Sequence, residues 1–463
     1  MGAMPHVAVL GGGVCGLYAA RTLARAGCPV TVLDLGRLPG GLSGSRSQGG
    51  NFYDIGVHMF HQFDRKLTED ILAVMGGESI PVRLDARIRW AGATYRYPLQ
   101  FMDMLKGMPF WRLAYCSLGL LGAHAIEAAR RAPPANAQDA LIRLYGRPLY
   151  EFFFREFTHR YWGMPPRELS ATFVSTKMPR LTAVDVIKRA LARFGISERP
   201  GRAVESALLD ETLLYARTGA EALPRRLSEA VQRDGGIVMQ SAEATKVMFS
   251  GGRVAAIRFS RNGEDREISC DGCVSTIPLT TLVKISAPVP PQEVAAAAAN
   301  LRFKPVAIYG LLVRRERCLE AQYVYFRDRS FHRVGEPKNA GLKVTPPGHT
   351  ILIAESTCEE GDAKWRGAPE AREAIAADLE AEGICRKDEI AETHVFGESF
   401  GYPVFSLGFE QNLARAMAWV RSVPNLQSAG RQGAFEYPNM HKAMRMGEAA
   451  ALAIMGAAGL SAR

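Results

Sequence analysis

The stretch YDIGVHMFHQFD, residues 53–64, places His58 and His61 three residues apart among glycine and aromatic side chains, with Asp54 and Asp64 at its edges. Two imidazoles at this spacing could ligate a metal, move a proton, touch a cofactor or pack in a core. A protein-held metal needs three or four ligands. No third ligand stands near this pair, so no metal is expected. Asp54 sits at a probable strand end and reads as structural. What precedes the stretch decides between cofactor contact and packing.

Upstream lies VAVLGGGVCGLYAA, with G-x-G-x-x-G at Gly11, Gly13 and Gly16. An apolar strand comes before it and a helix-periodic segment follows, which is the context the motif requires. Gly11 makes the tight turn, Gly13 lets the backbone approach a pyrophosphate, and Gly16 lets helix and strand pack closely. The helix N-terminus then faces the anion. Asp34 ends the next strand, PVTVLDL, where a carboxylate can accept hydrogen bonds from a ribose. DLGRLPGG adds a glycine pair, Gly40 and Gly41, and SAGRQGAFEYPNM near the C-terminus adds a third glycine turn. These two additions resemble the second and third fingerprints of flavin enzymes of the glutathione reductase and amine oxidase type. Three elements in that order imply FAD rather than NAD.

The elements that must position these residues can be read from periodicity. Residues 6–36 alternate strand, turn, helix and strand. Residues 100–200 are mostly helical and rich in aromatics, and residues 215–280 return to a helix and alternating strands. Residues 300–400 form strands with long loops. The expected fold is α/β. A Rossmann-type FAD-binding domain like that of glutathione reductase is assembled from residues 1–90, 206–285 and 421–463. Inserted into it are a mainly helical part, 91–205, and a mixed substrate-domain sheet, 286–420.

Composition narrows the partners. Lys and Arg number 57 against 47 Asp and Glu, a net charge of +10. This suggests an anionic small-molecule substrate, a phosphate-bearing cofactor or an acidic membrane surface. No dense basic tract points to nucleic acid. The eight cysteines are sparse, and Cys270 and Cys273 alternate along a strand as buried thiols, which fits a reducing cytoplasm. No signal peptide is evident. The longest uncharged apolar run, Leu113 to Ile126, is too short to span a bilayer. It predicts a buried helix, with a membrane-surface helix and peripheral membrane contact as the alternative.

GGLSGS followed by YDIGVHMFHQFD resembles the UDP-galactopyranose mutases. So do FREFTHRYWGMPPRELSA, FHRVGEPKN and the tail GRQGAFEYPNMHKAM. The resemblance implies that Gly56, His58 and His61 lie against the isoalloxazine ring. Arg333 and Tyr437 would bind a substrate diphosphate, while Trp162 and Tyr402 would line the cleft. Ser43, Val247, Gly430, Arg431 and Met440 would contact FAD. Two positions depart from the mutases: Phe157 replaces the tyrosine that stacks on uracil, and Asn439 replaces the aspartate before Met-His. Arg180 is the candidate for a second diphosphate arginine. YFRDRSFHRV and the chain length are also similar to protoporphyrinogen oxidases and phytoene desaturases of the amine oxidase superfamily.

Two functions follow from these resemblances. The leading one is a mutase-like flavoenzyme on a sugar nucleotide or phosphorylated sugar, with flavin N5 chemistry at the anomeric carbon. The alternative is an oxidoreductase that removes hydride from an apolar, amine or alcohol substrate.

Overall fold

The computed structural model describes residues 4–56, 58–97, 103, 106–129, 132–177 and 212–460. Strand β1 (Val7–Leu10) is fully buried, as its uninterrupted apolar sequence requires, and runs into helix α1 (Val14–Arg25). Gly27, in the left-handed region at φ +81°, ends the turn after α1 and returns the chain to β2 (Val30–Leu33). Both strands are buried on two faces, the signature of a parallel sheet covered by helices. That sheet has five strands, in the spatial order Leu426–Ser428, Gly272–Ser275, β1, β2 and Ile237–Met239, all parallel. Its members come from three separated stretches of sequence.

The second large sheet has seven strands and is mixed. Its centre is the antiparallel set Ile390–Pro403, Phe303–Val313, Thr350–Thr357, Arg333–Gly335 and Tyr323–Phe326. The hairpin Ala86–Trp90 and Ala93–Arg96 extends it through a parallel pairing of residues 86–89 with 323–326. A boundary at residue 90 therefore cuts a hairpin that belongs to the substrate-domain sheet. The helical part packs beside this sheet. A π turn over Tyr150–Phe154 leads into the helix Arg155–Trp162, which carries aromatic side chains toward the site. Arg180 lies outside the described residues.

Cys270 and Cys273 are both buried, and burial pushes the Cys270 thiol up to about 12. Both stay protonated at neutral pH.

The run from Leu113 to Ile126 corrects one expectation. It forms most of the helix Phe110–Ala129, yet this helix is not a buried one. Leu113 and Cys116 face the protein, while Phe110, Trp111, Tyr115, Leu118, Leu121 and Ile126 all face outward. Hydropathy alone does not tell which side of an apolar helix meets the protein.

Candidate functional site

The glycine turn after β1 is shaped by its neighbours. The Gly11 N–H donates to the Leu33 carbonyl at 2.8 Å, and the Gly40 N–H donates to the Gly12 carbonyl at 2.8 Å. These bonds bring the second glycine motif onto the first, and Gly13 and Gly40 form a parallel bridge. A Cβ on Gly16 would stand 2.0 Å from the Gly11 carbonyl oxygen, so helix and strand touch there. Among the described residues a Cβ on Gly13 would meet only the Gly40 carbonyl oxygen, at 3.7 Å, so the ledge above it is open. Among the described residues no side chain caps the α1 N-terminus, which leaves its first N–H groups for an anion. Asp34 accepts from the Gly12 and Gly36 N–H groups at the end of β2. Burial raises the Asp34 pKa, and those two N–H groups with Arg46 act against the rise.

The C-terminal motif closes the same corner. Gly430 has φ +80°, and a Cβ there would stand 3.1 Å from Cys15 of α1. Met440 begins the helix Met440–Ala457, which packs on α1 where a Cβ on Gly447 would meet the Cys15 carbonyl oxygen at 2.1 Å. Asn439 is the N-cap residue of that helix. Met440 and His58 line one cleft together with Phe60, Leu214, Tyr215 and Gly219. Ser43 ends a 3₁₀ turn on the Gly40–Gly41 loop, its N–H bonded to the Gly40 carbonyl. Val247 is fully buried in a strand, and its N–H donates to the Ile285 carbonyl at 2.9 Å.

The mixed sheet supplies the other wall. Antiparallel register sets Arg333 opposite Glu355, and a guanidinium N–H of Arg333 donates to Glu355 Oε2. Tyr402 Oη donates to the other carboxylate oxygen at 2.8 Å. The Arg333 guanidinium also lies 5.4 Å from the Tyr323 ring centroid and 5.7 Å from that of Tyr325. Burial disfavours its charge, but Glu355 outweighs this and holds the Arg333 pKa well above its ordinary value. Gly56 sits over the pair, since a Cβ there would be 3.2 Å from Arg333 Nη2 and 3.3 Å from Glu355 Oε2.

His58 belongs to this group. Burial, then Arg431 and Arg333, push it down to about 3, so its imidazole is neutral at physiological pH. Its Nδ1 is buried and has no hydrogen-bond partner among the described residues. Arg431 lies 5.8 Å from the Tyr402 ring centroid. Trp162, Tyr161, Tyr402 and Tyr437 form one aromatic wall, with centroids 5.2 to 6.4 Å apart. Phe157 extends it to Tyr325 and His332. Tyr437 Oη donates to the Pro403 carbonyl. His61 does not join this cluster. It stacks on Phe63 and stands edge-on to His441.

Glu355, Tyr161 and His332 were not evident from sequence. Glu355 is a lone carboxylate inside the apolar run TILIAES, and an unpaired acid in a buried strand was the available signal. His332 is buried with Nε2 2.7 Å from Thr357 Oγ1. Burial, then Arg160 and the lysines 364 and 304, lower its pKa well below 6.5.

These histidines set an acid limit on stability. An unfolded histidine takes up a proton near 6.5, whereas folded His58 does so only near 3. Between those values the unfolded state binds more protons, so stability falls as pH drops through the window. Urea midpoints should fall from about pH 7 to about pH 5. His58→Gln and His332→Gln should each fall less steeply than the parent. Equal slopes in all three proteins would contradict this.

The comparisons with known proteins agree with the three-part cofactor corner. Residues 14–343 match the family of flavin-containing amine oxidoreductases. The chain belongs to that family. A phytoene dehydrogenase of Streptomyces griseus is 26% identical over 338 residues, covering 66% of this chain and 60% of that protein. A reduced UDP-galactopyranose mutase superposes with a TM-score of 0.82 at 20% identity, over 98% of this chain and 96% of that one. A putative protoporphyrinogen oxidase from Exiguobacterium gives 0.71 at 18% identity, over 98% and 99%. This family member is thus an FAD-dependent enzyme with the amine oxidase fold. Its own residues fit the cofactor: an open ledge at Gly13, an uncapped helix N-terminus, the Asp34 carboxylate and an unpartnered imidazole nitrogen at His58.

Proposed function

We propose that the protein is an FAD-dependent oxidoreductase that removes hydride from an uncharged, largely apolar substrate. The observation that carries this reading is the Arg333–Glu355 pair. An arginine that receives a diphosphate presents its fork to the ligand. Here part of the fork is taken by a carboxylate in the next strand, and the guanidinium is flanked by Tyr323 and Tyr325. Tyr437, the expected second diphosphate contact, gives its hydroxyl proton to a backbone carbonyl. The remaining wall, Phe157, Tyr161, Trp162 and Tyr402, offers ring faces and edges. Arg333 and Arg431 against Glu355 leave a net positive charge, which disfavours an ammonium substrate.

FAD, when bound, supplies the hydride acceptor. The chain's residues orient the substrate and exclude water. His58, neutral and buried, can hold a hydrogen bond at the cofactor face without adding charge. Likeness to the phytoene dehydrogenase supports this reading over the mutase-like one, which the sequence resemblance favours.

Anaerobic titration separates the two. Oxidised holoenzyme should lose its flavin absorbance when mixed with an apolar polyene or alcohol, with no added reductant. UDP-sugars should leave it oxidised. Ring interconversion of a UDP-sugar by dithionite-reduced enzyme, without bleaching by any member of the panel, would replace this proposal with the mutase.

A further inference from the structure

We propose that the outward face of the Phe110–Ala129 helix docks the protein on an anionic phospholipid bilayer. The helix has its amphipathicity reversed. At 100° per residue, Phe110, Trp111, Tyr115, Leu118, Leu121, Gly122, Ala125 and Ile126 fall on one arc. All of these are exposed, with Phe110 82%, Trp111 63%, Leu118 69% and Ile126 56% accessible. No charged side chain interrupts that arc. A soluble protein ordinarily turns such a stripe inward.

The opposite face is firmly held. Leu113 and Cys116 are buried, and His124 Nε2 lies 3.1 Å from the Leu144 carbonyl. A Cβ on Gly119 would stand 2.5 Å from the Pro148 ring, and one on Gly146 would stand 2.4 Å from the Gly119 carbonyl oxygen, so the helix is in close contact there. The helix cannot roll its apolar face inward without breaking these contacts.

Charge and ring chemistry select the occupant. From Lys106 to Ile126 the sequence contains no carboxylate, while Lys106 and Arg112 stand at the start and Arg130 and Arg131 follow the end. Glu127 lies 3.8 Å from Arg143, which offsets its charge. Arg112 lies 4.9 Å from the Trp111 ring centroid, the pairing of cation and amphipathic ring that suits a headgroup layer. Basic flanks complement anionic headgroups, and the aliphatic middle suits the acyl boundary. Among the described residues no helix is long and apolar enough to cross a membrane, so the helix would lie in the interface plane. Docking through this helix is independent of which substrate the enzyme takes.

The test is co-sedimentation of the FAD-loaded protein with vesicles of phosphatidylcholine and phosphatidylglycerol, beside vesicles of phosphatidylcholine alone. The protein should pellet with the anionic vesicles, less so as salt rises. The double variant Trp111→Glu, Leu118→Glu alters two exposed side chains, so its flavin spectrum should be unchanged. Its partitioning should fall by roughly tenfold or more. Protein left in the supernatant, equal pelleting of the variant, or equal binding to both vesicle types would each overturn the proposal. A dimer that the double variant dissociates, with no vesicle binding by the parent, would assign the face to self-association and overturn it as well.

Discussion

Gly13→Val should give a folded but colourless protein. Gly13 has φ −72° and ψ 171°, a conformation that valine adopts readily. The added Cβ meets no atom of the described residues closer than 3.7 Å, so the backbone has no reason to move. The isopropyl group instead fills the ledge over the α1 N-terminus, where a pyrophosphate accepts N–H groups. Two lost charge-assisted hydrogen bonds at about 1.5–3 kcal/mol each amount to a roughly hundredfold or greater loss of affinity. Gly16→Ala provides the contrast. Its Cβ would stand 2.0 Å from the Gly11 carbonyl, so it should lower the apoprotein's melting temperature, which Gly13→Val should leave alone. Flavin absorbance after gel filtration and apoprotein melting curves read both quantities. Full FAD occupancy in Gly13→Val would sink the cofactor placement.

The second large effect concerns the Arg333–Glu355 pair. Both side chains are largely shielded, at 15% and 5% side-chain exposure. Arg333→Ala would leave the Glu355 carboxylate buried with only the Tyr402 hydroxyl to satisfy it. Breaking a buried pair from one side costs about 3–5 kcal/mol. The loss should appear in the urea midpoint of the ligand-free protein, before any substrate is added. Arg333→Met combined with Glu355→Gln removes both charges and keeps an acceptor for Tyr402, so it should recover more than half of the loss. A residue reserved for a substrate diphosphate would behave otherwise. Its alanine variant would be as stable as the parent and deficient only in ligand binding, and that result would restore the anion-subsite reading of Arg333.

The parts legible in the sequence were those written locally. Gly11, Gly13, Gly16 and Asp34 stand within one βαβ unit, so spacing and periodicity were sufficient to place them. Arg333, Trp162 and Tyr402 could be marked through resemblance, and the fold does bring them together. What they do there depends on Glu355, which reaches Arg333 through strand register across 22 residues of sequence. No local pattern encodes that pairing. The hairpin at 86–96 was misallotted for the same reason, because its partner strand lies at 323–326. The Phe110–Ala129 helix shows a related limit, because an apolar arc reads the same whether protein or another phase covers it.

The three-stretch origin of the parallel sheet bears on how the protein is made. β1 and α1 leave the ribosome long before Leu426–Ser428, Gly430 and the helix that seats Gly447 against Cys15. Until residues 426–447 are made, a nascent chain therefore carries an unpaired edge at Gly272–Ser275 and an incomplete cofactor corner. Such exposed edges and long-range pairings make folding slow and aggregation-prone. Tight capture of the flavin should then wait until this stretch has joined the sheet.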